Sequence, residues 1–152
     1  MSKSAAVASK AVHLLLVEAT PGDVLLMQVA FRGSGIRVHV ATDGADAIAF
    51  LKRDAPHSFA PWPHLILLDL NLPKIHGHEV LDYIKTNDSL ATIPTVILSS
   101  SDDVADIEKS YRLRANCYLR KPVTFDEFAA LVKSIKDFWF SKATLPSSAP
   151  RA

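Results

Sequence analysis

Five short apolar runs, each followed by a segment of helical periodicity and none joined to the next by a hairpin turn, predict an α/β fold with a parallel sheet. Most of the runs are nearly continuous rather than alternating, as in strands buried on both faces. The chain has 152 residues, the size of one domain. Right-handed crossovers leave few topologies. The expected one is a five-stranded, doubly wound sheet of flavodoxin type, order 2-1-3-4-5, with helices on both faces.

Each element has its own signal. The first strand is V-H-L-L-L-V at 12–17. Thr20-Pro21-Gly22-Asp23 opens a helix with Val24, Met27 and Phe31, and Gly33 and Gly35 close it. Ile36, Val38 and Val40 alternate as a second strand. Thr42-Asp43-Gly44 starts a helix carrying Ala47, Ile48 and Leu51, and a Pro-rich connection follows at 55–63. The third strand, 65–68, is the most apolar and ends in Asp69. Gly77 leads into a helix with Val80, Leu81 and Ile84. Pro94 opens the fourth strand, 95–98, and Asp102 and Asp103 cap a helix with Val104, Ile107 and Tyr111. Residues 116–119 form the fifth strand. Thr124, with Glu127 three residues on, reads as a capping box for a last helix whose apolar stripe runs from Phe125 to Phe138. We expect an N-terminal arm at 1–10, one folded unit at 11–141 and a polar tail at 142–152.

Composition narrows the function. Apolar residues are 49% of the chain and charged residues 22%, ordinary for a globular protein. Seventeen Lys and Arg against sixteen Asp and Glu leave a net charge of +1, which argues against a strongly basic nucleic-acid binder. The single cysteine, Cys117, excludes an internal disulfide and reads as a small buried hydrophobe in a reducing compartment. No apolar run approaches the ~18–20 residues of a membrane span. The expectation is a soluble cytoplasmic protein.

Polar residues gather where four strands end. Glu18 follows the first strand. Asp69 follows the third, with Asn71 two residues on. Ser99, Ser100 and Ser101 follow the fourth, and Lys121-Pro122 ends the fifth. In a doubly wound sheet these ends converge on one cleft at the switch point between strands one and three. Two carboxylates, a backbone carbonyl, a hydroxyl and an ammonium make an oxygen-rich site for Mg²⁺ and a phosphoryl group, with Asp69 as the attacking carboxylate. Singly, each residue has a plainer reading. Asp69 would cap a helix, Glu18 would be a solvated strand-end carboxylate, Ser99 would end a strand and Lys121 would lie on the surface. Their common register favours the site. Among the three serines, spacing from Pro94 favours the first.

With L-L-L-V-E at 14–18, L-I-L-L-D-L-N-L-P at 65–73, V-I-L-S-S-S at 96–101 and K-P at 121–122, the sequence resembles the receiver domain of two-component response regulators over roughly 12–140. The resemblance implies that Asp69 accepts phosphate from a sensor histidine kinase and that Mg²⁺ is held by Glu18, Asp69 and the backbone carbonyl of Asn71. It implies Ser99 as the switch hydroxyl, Lys121 as the site ammonium, and Tyr118 as the aromatic that swings inward. Such a protein is a phosphoacceptor with at most self-dephosphorylation, not an enzyme. A-P-W-P-H at 60–64 and F-W-F-S-K-A-T-L-P at 138–146 resemble the small single-domain regulators paired with bacterial phytochromes, which implies a phytochrome-type kinase.

Two departures stand out. The family has two adjacent acids after the first strand; here they are Glu18 and Ala19. With two carboxylates where three are usual, we expect weaker Mg²⁺ binding, a water standing in for the lost ligand. His76 replaces an acid before Gly77. His76, His78 and Glu79 are at a spacing that can bind a transition metal, but a solvated loop is the expected reading. Trp62 and Trp139 are expected at packing or interface positions. With no DNA-binding helix pair after Phe140, we expect output to pass through another protein, through the kinase itself or onward in a relay, and the aromatics of 138–140 suggest a homodimer through the fourth helix, fifth strand and fifth helix. Two rivals remain. One is a degenerate receiver that docks without phosphorylation because of Ala19. The other is a phosphohydrolase, disfavoured because Asn71 stands where such enzymes carry a second acid.

Overall fold

A computed structural model describes residues 11–146. The expected arm at 1–10 and the tail from 147 on lie outside the described residues. The elements run β1 (Val12–Val17), α1 (Pro21–Phe31), β2 (Ile36–Ala41), α2 (Gly44–Lys52), β3 (Leu65–Leu68), α3 (Gly77–Thr86), β4 (Thr95–Ser99), α4 (Val104–Arg112), β5 (Cys117–Arg120) and α5 (Phe125–Asp137). A short π-helical turn, Phe138–Lys142, extends the last helix. The five strands form one parallel sheet in the order β2-β1-β3-β4-β5, as the run pattern predicts.

Strand alternation sorts the core into two halves. Leu14, Leu16, Leu65, Leu67, Val96 and Leu98 face Met27 and Phe31 of α1 and Phe128, Val132 and Ile135 of α5. Leu15, Val17, Ile66, Leu68 and Ile97 face the other way, onto Ala47, Phe50 and Leu51 of α2 and Val80, Leu81 and Ile84 of α3. β3 is buried at all four positions, which explains its unbroken apolar run.

The caps follow sequence chemistry, with two refinements. Asp43 accepts from Asp46 N and starts α2; Asp103 accepts from Ala105 N and starts α4. Asp102 is not a cap: it lies 3.9 Å from Arg120 in an exposed ion pair. Thr124 Oγ1 accepts from Glu127 N at 3.2 Å, but the Glu127 carboxylate turns to the Thr124 hydroxyl at 2.9 Å. The box is closed through side chains rather than through the Thr124 amide.

Two expectations about residue environment are corrected. His78 is not in a solvated loop. It is buried on α3, and its Nε2 lies 3.0 Å from Ser110 Oγ on α4. Ser110 donates its own proton to the Asp106 carbonyl at 2.8 Å, so its oxygen accepts from His78. His76 caps α3 instead, its Nδ1 accepting from His78 N at 3.1 Å. Cys117 is only half-buried, although burial still pushes its thiol above the usual range. Trp62 packs against the α2–α3 side of the core with the Arg53 guanidinium 5.4 Å above its ring, and Trp139 packs against the α1–α5 side.

Candidate functional site

Three site residues are placed by the sheet itself. The amide of Glu18 donates to Ala41 O at 2.9 Å, that of Asp69 to Val17 O at 3.0 Å, and that of Lys121 to Ser99 O at 2.8 Å. Each extends its strand's ladder by one residue. Alternation then decides where the side chains go. Glu18 continues the series Leu14, Leu16; Asp69 continues Leu65, Leu67; Lys121 continues Cys117, Leu119. All six apolar residues belong to the α1–α5 half of the core, so the three charged groups emerge together at its carboxyl end.

There they meet. Lys121 Nζ is 2.6 Å from Glu18 Oε1, 2.9 Å from Asp23 Oδ2 and 3.3 Å from Asp69 Oδ2. The other oxygen of Glu18 accepts from Thr20 N at 3.1 Å, and the other oxygen of Asp69 accepts from Leu70 N at 2.8 Å. Glu18 is 2% exposed and Asp69 5%. Burial raises the Glu18 carboxyl above the ordinary carboxylate range; the Lys121 hydrogen bond opposes this and the Asp69 charge adds to it. Burial by itself lowers the Lys121 ammonium. Its hydrogen bonds to Glu18 and Asp23 and the charge of Asp69 outweigh that and hold it above the ordinary lysine range.

Asp23 is the residue that strand-end reasoning missed, and it corrects the count of two carboxylates. It sits in the first turn of α1, where an acid is favoured by the exposed amides and the helix dipole. The available signal was the acid three residues after Thr20, but its distance from Lys121 depends on how α1 packs. The Ala19 side chain has no oxygen to offer.

Ser99 and Tyr118 are on the other face. Ser99 follows Ile97 in the alternation and is fully buried, its Oγ accepting from Ser101 N at 3.2 Å. Tyr118 packs against the α2–α3 side, and its hydroxyl donates to Ser101 O at 2.8 Å. Neither hydroxyl is hydrogen-bonded to Asp69 or Lys121, so the hydroxyl and ammonium that the sequence reading put in one cleft flank the strand ends from opposite sides. Asn71 is exposed two residues beyond Asp69. The segment between them is fixed by Gly77, whose amide donates to Leu70 O at 2.9 Å. A Cβ there would collide with the Asp69 carbonyl and lie 2.5 Å from Leu70 Cα, so only glycine lets α3 start this close to the phosphoacceptor candidate.

The sequence pattern of the response regulator receiver domain matches residues 14–133. The chain belongs to the response regulator receiver family. Receiver domains are signalling modules rather than classical enzymes. Response regulator Rcp1 of Synechocystis sp. is 41% identical over 137 residues, covering 89% of this chain and 93% of Rcp1. Its Mn²⁺-bound crystal structure superposes with a TM-score of 0.85 at 40% identity, over 88% of this receiver and 98% of that chain. The phosphorylated cyanobacterial phytochrome response regulator RcpA gives 0.87 at 42% identity, over 90% and 99%. The bacteriophytochrome response regulator AtBRR gives 0.66 at 37%, over 82% and 94%.

Receivers bind a divalent metal, and the donor set here fits one. Glu18, Asp23 and Asp69 present three acidic oxygens around a single ammonium, leaving a formal charge of −2. Hard divalent cations take such ligands. The three carboxylates close on the Lys121 ammonium, and among the described residues no group of three or more His, Cys, Asp or Glu stands ready at metal-ligand spacing. A cation seated among these oxygens would take the place that the Lys121 ammonium holds. Among the described residues, no helix is long and apolar enough to cross a membrane.

Proposed function

We propose that this receiver takes a phosphoryl group onto Asp69 from a sensor histidine kinase, and that the kinase is of phytochrome type. The observation that carries the reading is the 3.3 Å approach of Lys121 Nζ to Asp69 Oδ2 at the carboxyl end of the sheet. RcpA and AtBRR are phytochrome response regulators by name, which supports the phytochrome link.

In the reaction, Asp69 Oδ2 attacks phosphorus, an O–P bond forms and the N–P bond to the kinase imidazole breaks; the imidazole keeps the electron pair and is protonated from solvent. Glu18, Asp69 and the Asn71 carbonyl would hold Mg²⁺, which neutralises charge on the transferring group when bound. Lys121 turns from the carboxylates to a phosphoryl oxygen. Ser99 rotates to a second oxygen, and Tyr118 leaves Ser101 O to follow it inward. Both hydroxyls lie beside α4 and β5, so the change is passed to the surface of α4, β5 and α5. That surface carries exposed Val104, Tyr111 and Phe125, and we assign it to a homodimer contact.

Intact-mass measurement after incubation with acetyl phosphate and Mg²⁺ tests the reading. The wild type gains one phosphoryl group and Asp69→Asn gains none. An equal gain on both, or none on the wild type, removes it. A second reading, docking without phosphorylation, draws on Ala19 and on the ion pairs that close the site around Lys121. An unphosphorylatable wild type that still binds its kinase would favour it.

A further inference from the structure

We propose that Asp23 is the metal-site carboxylate that Ala19 does not provide. The proposal rests on the metal-assisted reading of Asp69. It adds a ligand that reaches the site from a helix rather than from a strand end.

The geometry is direct. Asp23 Oδ2 lies 2.9 Å from the same ammonium that touches Glu18 Oε1 and Asp69 Oδ2. Three acidic oxygens thus already share one cation, the Lys121 side chain standing where a cation is wanted. The β1–α1 turn makes this possible. Glu18 Oε2 accepts from Thr20 N and folds the turn back over the strand end, Pro21 starts the helix at once, and Asp23 falls in its first turn. The Asp23 side chain is 24% exposed, against 2% for Glu18 and 6% for Asp69, so it is the acid of the three that meets solvent.

Charge supports the same assignment. With Asp23 the acidic count is three, as in a receiver with paired acids after β1. Without it, Glu18, Asp69 and Lys121 carry a formal −1, a poor match for a divalent ion. With the ion bound among these oxygens, the ammonium is released toward the phosphoryl group. The weakening expected from Ala19 is therefore offset from four residues further along the chain.

Mn²⁺ titration followed by electron paramagnetic resonance of the free ion tests this on the whole chain, with no need of phosphorylation. Asp23→Asn weakens Mn²⁺ binding about tenfold, and Asp23→Ser does the same. Both keep the wild-type circular dichroism spectrum. Adding Ala19→Asp to Asp23→Asn restores affinity, whereas Ala19→Asp alone tightens binding far less. Unchanged Mn²⁺ affinity in both Asp23 variants overturns the proposal. So does an Ala19→Asp gain of equal size with and without Asp23. If the wild type takes up no Mn²⁺, this proposal and the metal-assisted reading both fall. If the wild type binds Mn²⁺ and Asp23 is silent, this one alone is lost.

Discussion

Lys121 Nζ lies 2.6 Å from Glu18 Oε1, and the two side chains are 9% and 2% exposed. One ammonium at the end of the fifth strand thus holds an acid at the end of the first, across the two strands, β3 and β4, that lie between them. Removing it leaves Glu18 and Asp69 buried without their counter-charge. Lys121→Met is expected to lose about 3 kcal/mol of unfolding free energy in metal-free buffer. Because a ligand of the folded state adds stability by mass action, Mg²⁺ should recover more of that loss than it adds to the wild type. Urea unfolding with and without Mg²⁺ checks both points.

Gly77 bears on the same site through the backbone. Its missing Cβ allows the start of α3 to lie against Asp69 and Leu70. Gly77→Ala forces that contact apart, at a cost of about 1–3 kcal/mol. Asp69 should also lose phosphorylation rate, since its peptide must shift. Thermal melting and the phosphodonor assay read the two effects separately; a variant as stable and as reactive as the wild type would contradict the close approach.

Acid should destabilise the protein through its histidines. Burial holds the imidazoles of His13, His39 and His78 below the ordinary value of 6.5, with neighbouring His and Arg or Lys charges adding to the effect. His13 Nδ1 and His39 Nε2 lie 3.0 Å apart, a contact that needs one neutral ring. As pH falls, the unfolded chain takes up protons before the folded one. The stability is therefore present above pH 6.5 and lost as pH drops from there through the folded values. Melting temperature should fall between about pH 7 and about pH 5. His78→Gln, which can still donate to Ser110, should reduce that fall.

The assigned dimer surface gives a hydrodynamic prediction. Val104 is 65% exposed and Phe125 69%, and neither enters the core. Sedimentation velocity should show concentration-dependent dimers for the wild type and monomers for Val104→Asp with Phe125→Asp. Stability should change by less than about 0.5 kcal/mol per substitution, as for surface positions. A wild type that stays monomeric at every concentration would remove the interface.

The sequence by itself determined the sheet, its order and most of the cleft. Continuous apolar runs fix which strands are buried, and the period of two fixes that Glu18, Asp69 and Lys121 leave their strands on one face. That is local geometry, repeated from strand to strand. Tertiary structure decided the rest. Asp23 and Lys121 are separated by 98 residues, and their contact depends on how α1 packs beside α5 and against the sheet. The burial of His78 depends on α3 meeting α4 at Ser110, which its neighbours His76 and Glu79 do not signal. Ser99 was legible as a strand-end hydroxyl, but its side chain leaves the sheet opposite Lys121, because Ile97 and Leu119 belong to different halves of the core. Alternation along a strand can be read from the residues in it. Where a helix places its first turn is set by the packing between layers, to which residues far apart in the chain contribute together.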